Sequence, residues 1–267
     1  MRTLKFGVPG IWLAALCAVG AAAFAQLPEP NEAGVRMGHI HLTVPNLAKH
    51  REIWRLLGGR EVRRTMMAFP GMYILLREAE PTAPSPDTSA NHFGFSVRDY
   101  GAYKAKLEAL NASFFFQSEE NGQILADLPD GVRIEILTDA NQAEPIIFHH
   151  IHLAAPDPTV LRDWYTGVLV AENGERRGLP SALVPGGRVD VLGARGAAPK
   201  GSQGTAIDHI GFEVEDMDEF AARMRRLGVE FDIAPRRVEG VDITQAYLTD
   251  PAGTYIEITQ GLWTLDQ

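Results

Sequence analysis

The feature that most constrains this chain is an internal repeat. His39-Ile40-His41-Leu42 recurs as His150-Ile151-His152-Leu153, His92-Phe93-Gly94-Phe95 as His209-Ile210-Gly211-Phe212, and Ile134-Glu135-Ile136 as Ile256-Glu257-Ile258. The three pairs occur in the same order, at offsets of 111, 117 and 122 residues. Because ordered landmarks at similar spacing rarely arise by chance, the sequence predicts a duplicated unit.

A finer repeat lies inside each copy. Each of the four His-bearing segments alternates apolar and other residues, which is the period-two pattern of a strand. A helix-like stretch follows each segment, and each stretch begins at a residue whose short side chain can cap a helix: Asn46, Asp99, Asp157 and Asp216. Further strand candidates follow each helix. The sequence therefore predicts four modules in two tandem domains, residues 35–140 and 146–263.

Strand alternation predicts which side chains share a face of each sheet. Ile40 and Leu42 lie on the face that would pack on helices, so His39 and His41 lie on the opposite, concave face. The same alternation holds in all the repeated strands. It places a ligand-type set on the concave face of each half of the chain: His39, His92 and Glu135 in the first half, and His150, His209 and Glu257 in the second.

Two neutral imidazoles and one carboxylate form a set suited to Fe(II), and also to Mn, Zn or Ni. Each half therefore offers a possible metal site between its own histidines and glutamate, and we expect a divalent metal in at least one of them, with open positions for two adjacent substrate oxygens. Glu135 and Glu257 are also the expected catalytic carboxylates. For any one histidine, a hydrogen-bonded or exposed strand residue is the alternative. His41 and His152 share the concave face and are interpreted as residues behind the ligands, as acid/base groups or as pocket lining.

These motifs, together with the ending Asp250-Pro251-Ala252-Gly253-Thr254-Tyr255-Ile256-Glu257, resemble the vicinal oxygen chelate superfamily. The resemblance covers nearly all of the chain after residue 35. It implies an α+β fold of four βαβββ modules paired into two glyoxalase/extradiol dioxygenase-like domains, each curled around a divalent metal. It also implies that His39, His92, His150 and His209 are ligands, with Glu135 and Glu257 as carboxylates of the closing strands. Members include glyoxalase I, extradiol dioxygenases and bleomycin-resistance proteins, which bind a ligand without converting it.

The resemblance also implies a possible fourth metal ligand. Glyoxalase-type sites carry a further carboxylate, which in the second half falls on Asp190; an ion pair with Arg188 is the alternative for this residue. The matching segment of the first half, residues 72–76, has no carboxylate. A histidine typical of extradiol dioxygenases is missing, since the region before Tyr247 offers only Asp242. That departure weakens ring cleavage as the specific reaction.

The sequence leaves two classes of function open, and a third possibility without a specific function. The first is an exported metal-dependent lyase, isomerase or dioxygenase that binds a small substrate through adjacent oxygens. The second is a non-catalytic protein of the bleomycin-resistance type that binds or sequesters a small molecule. A scaffold with one degenerate domain is the third reading. Complete ligand sets in both halves favour the enzyme, because a pure binder has no need of them.

The N-terminus predicts export. Arg2 and Lys5 precede an apolar run, and Ala23-Phe24-Ala25 precedes Gln26, which is the plan of a signal peptide over residues 1–25. An uncleaved anchor is the alternative. A periplasmic or secreted location is expected. The lone Cys17 lies in this segment, so the mature chain would have no thiol for metal binding or disulfides.

Charge limits the partners. The formal net charge is -9, and loss of Arg2 and Lys5 would take it to -11. An acidic chain without a basic run argues against nucleic acid, and no membrane contact is expected after cleavage. The expected partner is a small-molecule substrate, and the expected state is a monomer or homodimer.

Overall fold

A computed structural model describes residues 27–194 and 196–267 of the chain. The signal peptide expected over residues 1–25 lies outside the described residues. Within the described part, no helix is both long enough and apolar enough to cross a membrane.

The four modules have the predicted composition, one strand followed by one helix and three strands. Module 1 comprises β1 (Val35–Val44), α1 (Leu47–Leu57), β2 (Arg60–Arg63), β3 (Met66–Phe69) and β4 (Met72–Glu78). Module 2 comprises β5 (Ala90–Val97), α2 (Tyr100–Ala109), β6 (Ser113–Ser118), β7 (Gln123–Asp127) and β8 (Arg133–Thr138). Module 3 comprises β9 (Ile146–Ala155), α3 (Pro158–Leu169), β10 (Glu172–Arg176), β11 (Leu179–Val184) and β12 (Gly187–Gly193). Module 4 comprises β13 (Ile207–Val214), α4 (Met217–Leu227), β14 (Ile233–Arg237), β15 (Thr244–Thr249) and β16 (Tyr255–Gln260). The α+β class of paired βαβββ modules is thus confirmed.

The helices start where the sequence places their caps. The side chains of Asn46, Asp99, Asp157 and Asp216 each accept a hydrogen bond from a backbone N–H of the first turn. These bonds satisfy amide groups that the helix itself leaves unpaired. At the end of α1, Gly58 has a φ of 118°, a conformation that favours glycine and closes the helix.

Two eight-stranded sheets form, and each combines modules from both halves of the chain. One sheet has the strand order β14-β15-β16-β13-β1-β4-β3-β2, so it joins modules 1 and 4 and is called the 1/4 sheet. The other has the order β10-β11-β12-β9-β5-β8-β7-β6 and is called the 2/3 sheet. At both centres, two first strands pair antiparallel, β1 with β13 and β5 with β9.

This pairing corrects the expected grouping of modules. The sequence predicts that modules 1 and 2 curl around one site within residues 35–140, and modules 3 and 4 around another within 146–263. A repeat shows which segments are equivalent, but every module offers the same kind of first-strand edge, so the repeat does not show which edges join. Only residues 139–145 separate β8 from β9. This short connection keeps modules 2 and 3 adjacent and leaves β1 to pair with β13.

One apolar core lies between the sheets and the helices. Its largest fully buried side chains include Trp54, Phe69, Phe93 and Phe95, whose rings pack against one another across the two sheets. The apolar faces predicted from strand alternation therefore do pack inward. The opposite faces of the strands are left free to form the two concave surfaces.

Candidate metal centres

Two clusters of histidines and a glutamate lie on the concave faces, one in each sheet. The 1/4 site consists of His39, His41, His209 and Glu257. The 2/3 site consists of His92, Glu135, His150 and His152. In each cluster, one potential ligand atom per residue lies within 4.8 Å of all the others. By the repeat, His39, His41, His209 and Glu257 are the equivalents of His150, His152, His92 and Glu135.

The structure therefore brings all the sequence-predicted residues to a site, but in a different grouping. His39 does not meet His92 and Glu135, because β1 lies in the 1/4 sheet while β5 and β8 lie in the 2/3 sheet. For the same reason, His150 does not meet His209 and Glu257. The expectation that each half of the chain completes its own ligand set is wrong. Each site takes its glutamate and one histidine from one half, and two histidines from the other.

In the 1/4 site, the carboxylate of Glu257 is the centre of the contacts. Its Oε2 lies 3.0 Å from His39 Nε2 and 2.9 Å from His209 Nε2. His41 Nδ1 lies 3.1 Å from His209 Nε2. The other oxygen, Oε1, accepts a hydrogen bond of 2.8 Å from the Tyr247 hydroxyl. Four potential ligand atoms, from three histidines and one glutamate, thus converge from β1, β13 and β16.

The 2/3 site repeats this arrangement with different supports. Glu135 Oε2 lies 2.8 Å from His150 Nε2, 3.5 Å from His92 Nε2 and 3.8 Å from His152 Nε2. Glu135 Oε1 accepts a hydrogen bond from the Gln123 amide in place of a tyrosine hydroxyl. All four residues of this site are buried, whereas His41 of the 1/4 site is partly exposed.

His41 and His152 are closer to the chemistry than the sequence suggests. The sequence indicates that both are residues behind the ligands, acid/base groups or pocket lining. In the structure, both lie inside the clusters of candidate ligands. The signal for this is the spacing of two residues in the His-x-His motifs, since a strand points such side chains to the same face. Alternation predicts the shared face, but it does not predict the strand twist that turns both rings toward one point.

Two glycines make room for the histidine rings. A Cβ built on Gly211 would lie 2.0 Å from His39 Cε1, and one built on Gly94 would lie 2.2 Å from His150 Cε1. No real side chain tolerates such contacts, so only glycine lets the ring lie flat over the neighbouring strand. The repeated His-x-Gly motif of β5 and β13 therefore supplies one candidate ligand and makes room for the ring of another.

The histidines of β5 and β13 are oriented by the residue before them. His209 Nδ1 lies 2.6 Å from Asp208 Oδ1, and His92 Nδ1 lies 2.8 Å from Asn91 Oδ1. Each contact fixes the proton on Nδ1 and leaves Nε2 with a free lone pair toward the cluster, the arrangement usual for metal-binding histidine. The two sites differ here, because one histidine is supported by a charged carboxylate and the other by a neutral amide.

Electrostatics hold the 1/4 site in a protonation state suited to a cation. Burial lowers the pKa of His39 and, together with the neighbouring His209, lowers that of His41, so both rings are neutral near pH 7. Burial alone would raise the pKa of Glu257, but hydrogen bonds from His209 and His39 outweigh it and hold the pKa well below its usual range. The site therefore presents a carboxylate together with neutral imidazoles at His39 and His41.

His209 differs from its equivalent in this respect. Burial opposes its charged form, but the hydrogen bonds to Asp208 and Glu257 raise its pKa above the usual value. At His92, burial prevails over the hydrogen bond to Glu135 and lowers the pKa. The carboxylate of Asp208 thus makes His209 the more basic of the two imidazoles.

The residues fit a metal ion by their spacing and their unmet hydrogen-bonding capacity. Ligand atoms held at right angles about 2.1 Å from one ion lie about 3 Å apart, and the separations around Glu257 are 2.9–3.1 Å. In addition, His150 Nε2, which faces the 2/3 site 2.8 Å from Glu135 Oε2, is buried without a hydrogen bond of normal geometry among the described residues. Buried polar atoms left unpaired in this way are costly unless a ligand or ion satisfies them.

Asp190, the predicted fourth ligand, lies beside the 2/3 site. It is opposite His152 in the register of β12 and β9, and its Oδ2 lies 3.8 Å from His152 Nε2. Its Oδ1 accepts hydrogen bonds from Ser181 and from Arg188 Nε, the latter at 2.7 Å, so the ion pair with Arg188 that the sequence left open is present. The residue is fully buried rather than at a rim. The equivalent position beside His41 is Leu75, so the 1/4 site has no such carboxylate.

A cavity of about 520 Å³ opens at the 1/4 site. His41 and His209 form part of its wall, and Tyr247 and Tyr255 form another part, with their rings stacked 5.1 Å apart at 13°. This volume falls in the range of small-molecule pockets.

Glu213 lies on the same face of β13 as His209 and Gly211, but it supports the C-terminus. It is fully buried, and its carboxylate accepts hydrogen bonds from Thr259 Oγ1 and from the backbone N–H groups of Gly261 and Leu262. Burial raises the pKa of Glu213 to about 7 despite these bonds. The equivalent residue of the 2/3 sheet is the neutral Ser96, which donates a hydrogen bond to Gln142.

Comparison with known proteins agrees with this architecture. Residues 147–258 match the family model described as the Glyoxalase/Bleomycin resistance protein/Dioxygenase superfamily. A variant of glyoxalase I from Zea mays is similar in structure, with a TM-score of 0.65 and 15% identity over 88% of this chain and 96% of that one. A putative dioxygenase from Bacillus subtilis has a TM-score of 0.61 and 14% identity, over 88% and 86%. No curated protein matches the chain by sequence.

The predicted resemblance to this superfamily is therefore confirmed for residues 147–258, which match its family model. The chain as a whole has the fold of paired glyoxalase-like modules. More particularly, it has the two-sheet, four-module fold that glyoxalase I from Zea mays shows over nearly its whole length, including modules 1 and 2, which the family model does not reach.

Proposed function

We propose that this protein is an exported metal-dependent enzyme that acts on a small substrate with two adjacent oxygens, and that the reaction takes place at the 1/4 site. The observation that carries the proposal is the position of the His39, His41, His209 and Glu257 cluster beside a cavity large enough for a small molecule, with His41 and His209 in the cavity wall. A buried ligand cluster next to a concave pocket is the usual arrangement of a metal-dependent active site.

The residues of the cluster divide the work. His39, His41, His209 and Glu257 would hold a divalent cation, which when bound polarises substrate oxygens as a Lewis acid. Asp208 keeps the Nδ1 proton on His209 and orients its ring. Glu257 is ionised, and its Oε1 faces Tyr247 rather than a histidine, so this oxygen can accept a proton from a substrate carbon while Tyr247 holds it in position.

The proposed reaction type is proton transfer next to a carbonyl, as in a lyase or isomerase; oxygen-dependent chemistry is the other branch. Proton transfer is favoured because the carboxylate of Glu257 has one oxygen directed to the cluster and the other supported by a proton donor. The 2/3 site is proposed to bind a second cation in a more enclosed setting, since its four residues are all buried.

The first test is metal content. The chain from residue 26 onward, purified and analysed by mass spectrometry for metals, is expected to carry up to two equivalents of a divalent ion. His209→Ala and His92→Ala should each remove one equivalent, from different sites. Protein that binds no divalent metal under loading conditions would contradict the proposal.

The second test is chemical and separates the branches. Metal-loaded protein is incubated with dihydroxyacetone in D₂O, and loss of the carbon-bound proton signal is followed by NMR. We expect exchange with the native protein and none with Glu257→Gln. Consumption of oxygen with a catechol, without proton exchange, would indicate the dioxygenase branch instead. Metal binding with neither activity would favour the sequestering protein.

Export is proposed from the sequence of residues 1–25. A positive start, an apolar run and the Ala23-Phe24-Ala25 motif support removal of this segment. The test is the mass of the protein recovered from the periplasm or medium, which should correspond to a chain beginning at Gln26. Recovery of full-length protein from the membrane fraction would contradict it.

A further inference from the structure

The cavity at the 1/4 site has a charged side chain that the metal cluster leaves unused. Two arginines, Arg77 and Arg236, line it beside the ligands. Arg77 is engaged, because it donates to Thr43 Oγ1 and to Asp208 Oδ2, both at 2.9 Å. Arg77 therefore belongs to the support of His209 through Asp208.

Arg236 is placed differently. It is exposed on β14, where it lies opposite Gln245 of β15. Its Nη2 lies 3.2 Å from the Gln245 amide when that amide is turned so that its oxygen faces the guanidinium. Among residues 27–194 and 196–267, no carboxylate lies within ion-pair distance of Arg236. The next residue, Arg237, faces the other side of the strand and is paired with Asp242.

The rest of the cavity suits a flat, partly apolar molecule with a negative charge. Tyr247 and Tyr255 are stacked and offer ring surface. A guanidinium without a carboxylate partner is the group that proteins most often use to bind a carboxylate in two parallel hydrogen bonds.

We propose that the 1/4 cavity binds a small organic acid, and that Arg236 receives a carboxylate separate from the two adjacent oxygens of the ligand. This inference rests on the proposed function, because it takes the adjacent oxygens to be directed at the His39, His41, His209 and Glu257 cluster. It adds the substrate class: an anion with a flat body, rather than a neutral dicarbonyl or diol. Arg236 is a binding residue that selects charge.

The experiment compares an acid with its uncharged counterpart. Binding of 3,4-dihydroxybenzoate and 3,4-dihydroxybenzamide is measured by calorimetry on metal-loaded and metal-free protein. The native protein should bind the acid more tightly than the amide. Arg236→Gln should weaken the acid about 5-fold, the scale of an ion pair at an exposed position, and leave the amide unchanged. The preference for the acid should also shrink as salt is raised.

Arg237→Gln is the matched control, because it removes a neighbouring charge of the same strand from the opposite face. It should leave both affinities unchanged. Equal binding of acid and amide by the native protein, or equal losses in Arg236→Gln and Arg237→Gln, would overturn the proposal. The outcome is separable from the proposed function. An acid preference through Arg236 with no gain in affinity for either ligand on metal loading keeps the anion site and contradicts the metal contact. Tighter binding of both ligands on loading, without an acid preference, keeps the metal contact and overturns the anion site.

Discussion

The two sites of this molecule share a ligand set and differ in what surrounds it. Behind the histidine of the first strand of module 4 stands the carboxylate of Asp208, whereas the equivalent histidine of module 2 is supported by the amide of Asn91. The 1/4 site opens on a cavity, whereas every ligand of the 2/3 site is buried. The repeat has thus kept the candidate ligand set in both sheets. The sites differ in whether a cavity reaches the ligands and in the pKa of the equivalent histidines His209 and His92.

We expect the strongest effect on enzymatic activity from replacing the glutamate of the 1/4 site, and a much weaker one from the same change in the 2/3 site. Glu257→Gln should lower activity by about 10³-fold or more, because it removes both a charged ligand and the proposed proton acceptor. Glu135→Gln, the equivalent change in the 2/3 sheet, should leave most of the activity. Turnover and metal content are measured together, and each variant should lose one equivalent of metal. Loss of activity in Glu135→Gln alone would reverse the assignment of the reactive site.

A second, smaller effect tests the support that glycine gives each site. Gly211→Ala places a methyl group within 2.0 Å of the His39 ring, which is buried and has no room to retreat. We expect a drop in metal affinity of about 100-fold at the 1/4 site, the upper end for disturbed ligand supports. Competition with a chelator measures it site by site in a His92→Ala background.

Gly94→Ala should have the matching effect at the 2/3 site, where the added methyl group would meet His150. Gly167→Ala is the neutral control, since a Cβ at that helical position meets nothing within 4 Å. Unchanged metal affinity in Gly211→Ala would show that His39 is not a ligand.

The third prediction concerns the pH dependence of the free energy of unfolding. Glu213 of the 1/4 sheet should contribute to it, whereas its equivalent in the 2/3 sheet, Ser96, should not. Folding raises the pKa of Glu213 from its ordinary value of 4.5 to about 7, with burial as the cause. The native state then binds the proton more tightly than the unfolded chain, so stability is greatest below pH 4.5 and falls as pH rises through 7. The loss attributable to Glu213 over this pH range should be about 3 kcal/mol.

Glu213→Gln should remove this part of the pH dependence and keep an acceptor for the Gly261 and Leu262 amides. Denaturant unfolding at pH 5 and pH 8 measures the difference. Ser96→Ala, at the equivalent position of the 2/3 sheet, should leave the pH dependence as in the native protein. Identical pH profiles for native protein and Glu213→Gln would contradict the buried ionisation.

The smallest expected effect exchanges the residues behind the equivalent histidines. Asp208→Asn should lower metal affinity at the 1/4 site about 10-fold, because a neutral amide makes His209 a weaker donor. Asn91→Asp should raise the affinity of the 2/3 site by a similar factor. Titration with a metal-sensitive dye in single-site backgrounds measures both. If both variants changed metal affinity in the same direction, the charge of the residue that contacts Nδ1 of the histidine would not explain a difference in affinity between the sites.

Much of the fold is readable from the sequence. The repeat, the alternation in the first strands and the four capping residues predict the module and its ligand-bearing face. The edge strands β2, β6, β10 and β14, and the neighbouring strands β3 and β11, have no clear alternating pattern, and the residues alone do not predict them. Ser113–Ser118, with three successive phenylalanines, is an example. Their positions follow from pairing with neighbours rather than from local preference.

The identity of the site residues is also readable, but their partnership is not. His39, His92, Glu135, His150, His209 and Glu257 all reach a cluster, because strand alternation is a local property. Which histidine meets which glutamate depends on how modules separated by more than 100 residues pair their edges. Likewise, Arg236 stands out only when Gln245 and Tyr247 are seen across the strand.

The crossed assembly of the sheets has a consequence for how this chain can be divided. Residues 139–145 join two halves of which neither owns a whole centre, so a cut there yields fragments with unpaired first strands and incomplete ligand sets. A polypeptide of half this length could complete its centres only by associating with another copy of itself. The covalent link between the halves thus turns what would be an intermolecular, concentration-dependent assembly into an intramolecular one, which remains complete at any dilution.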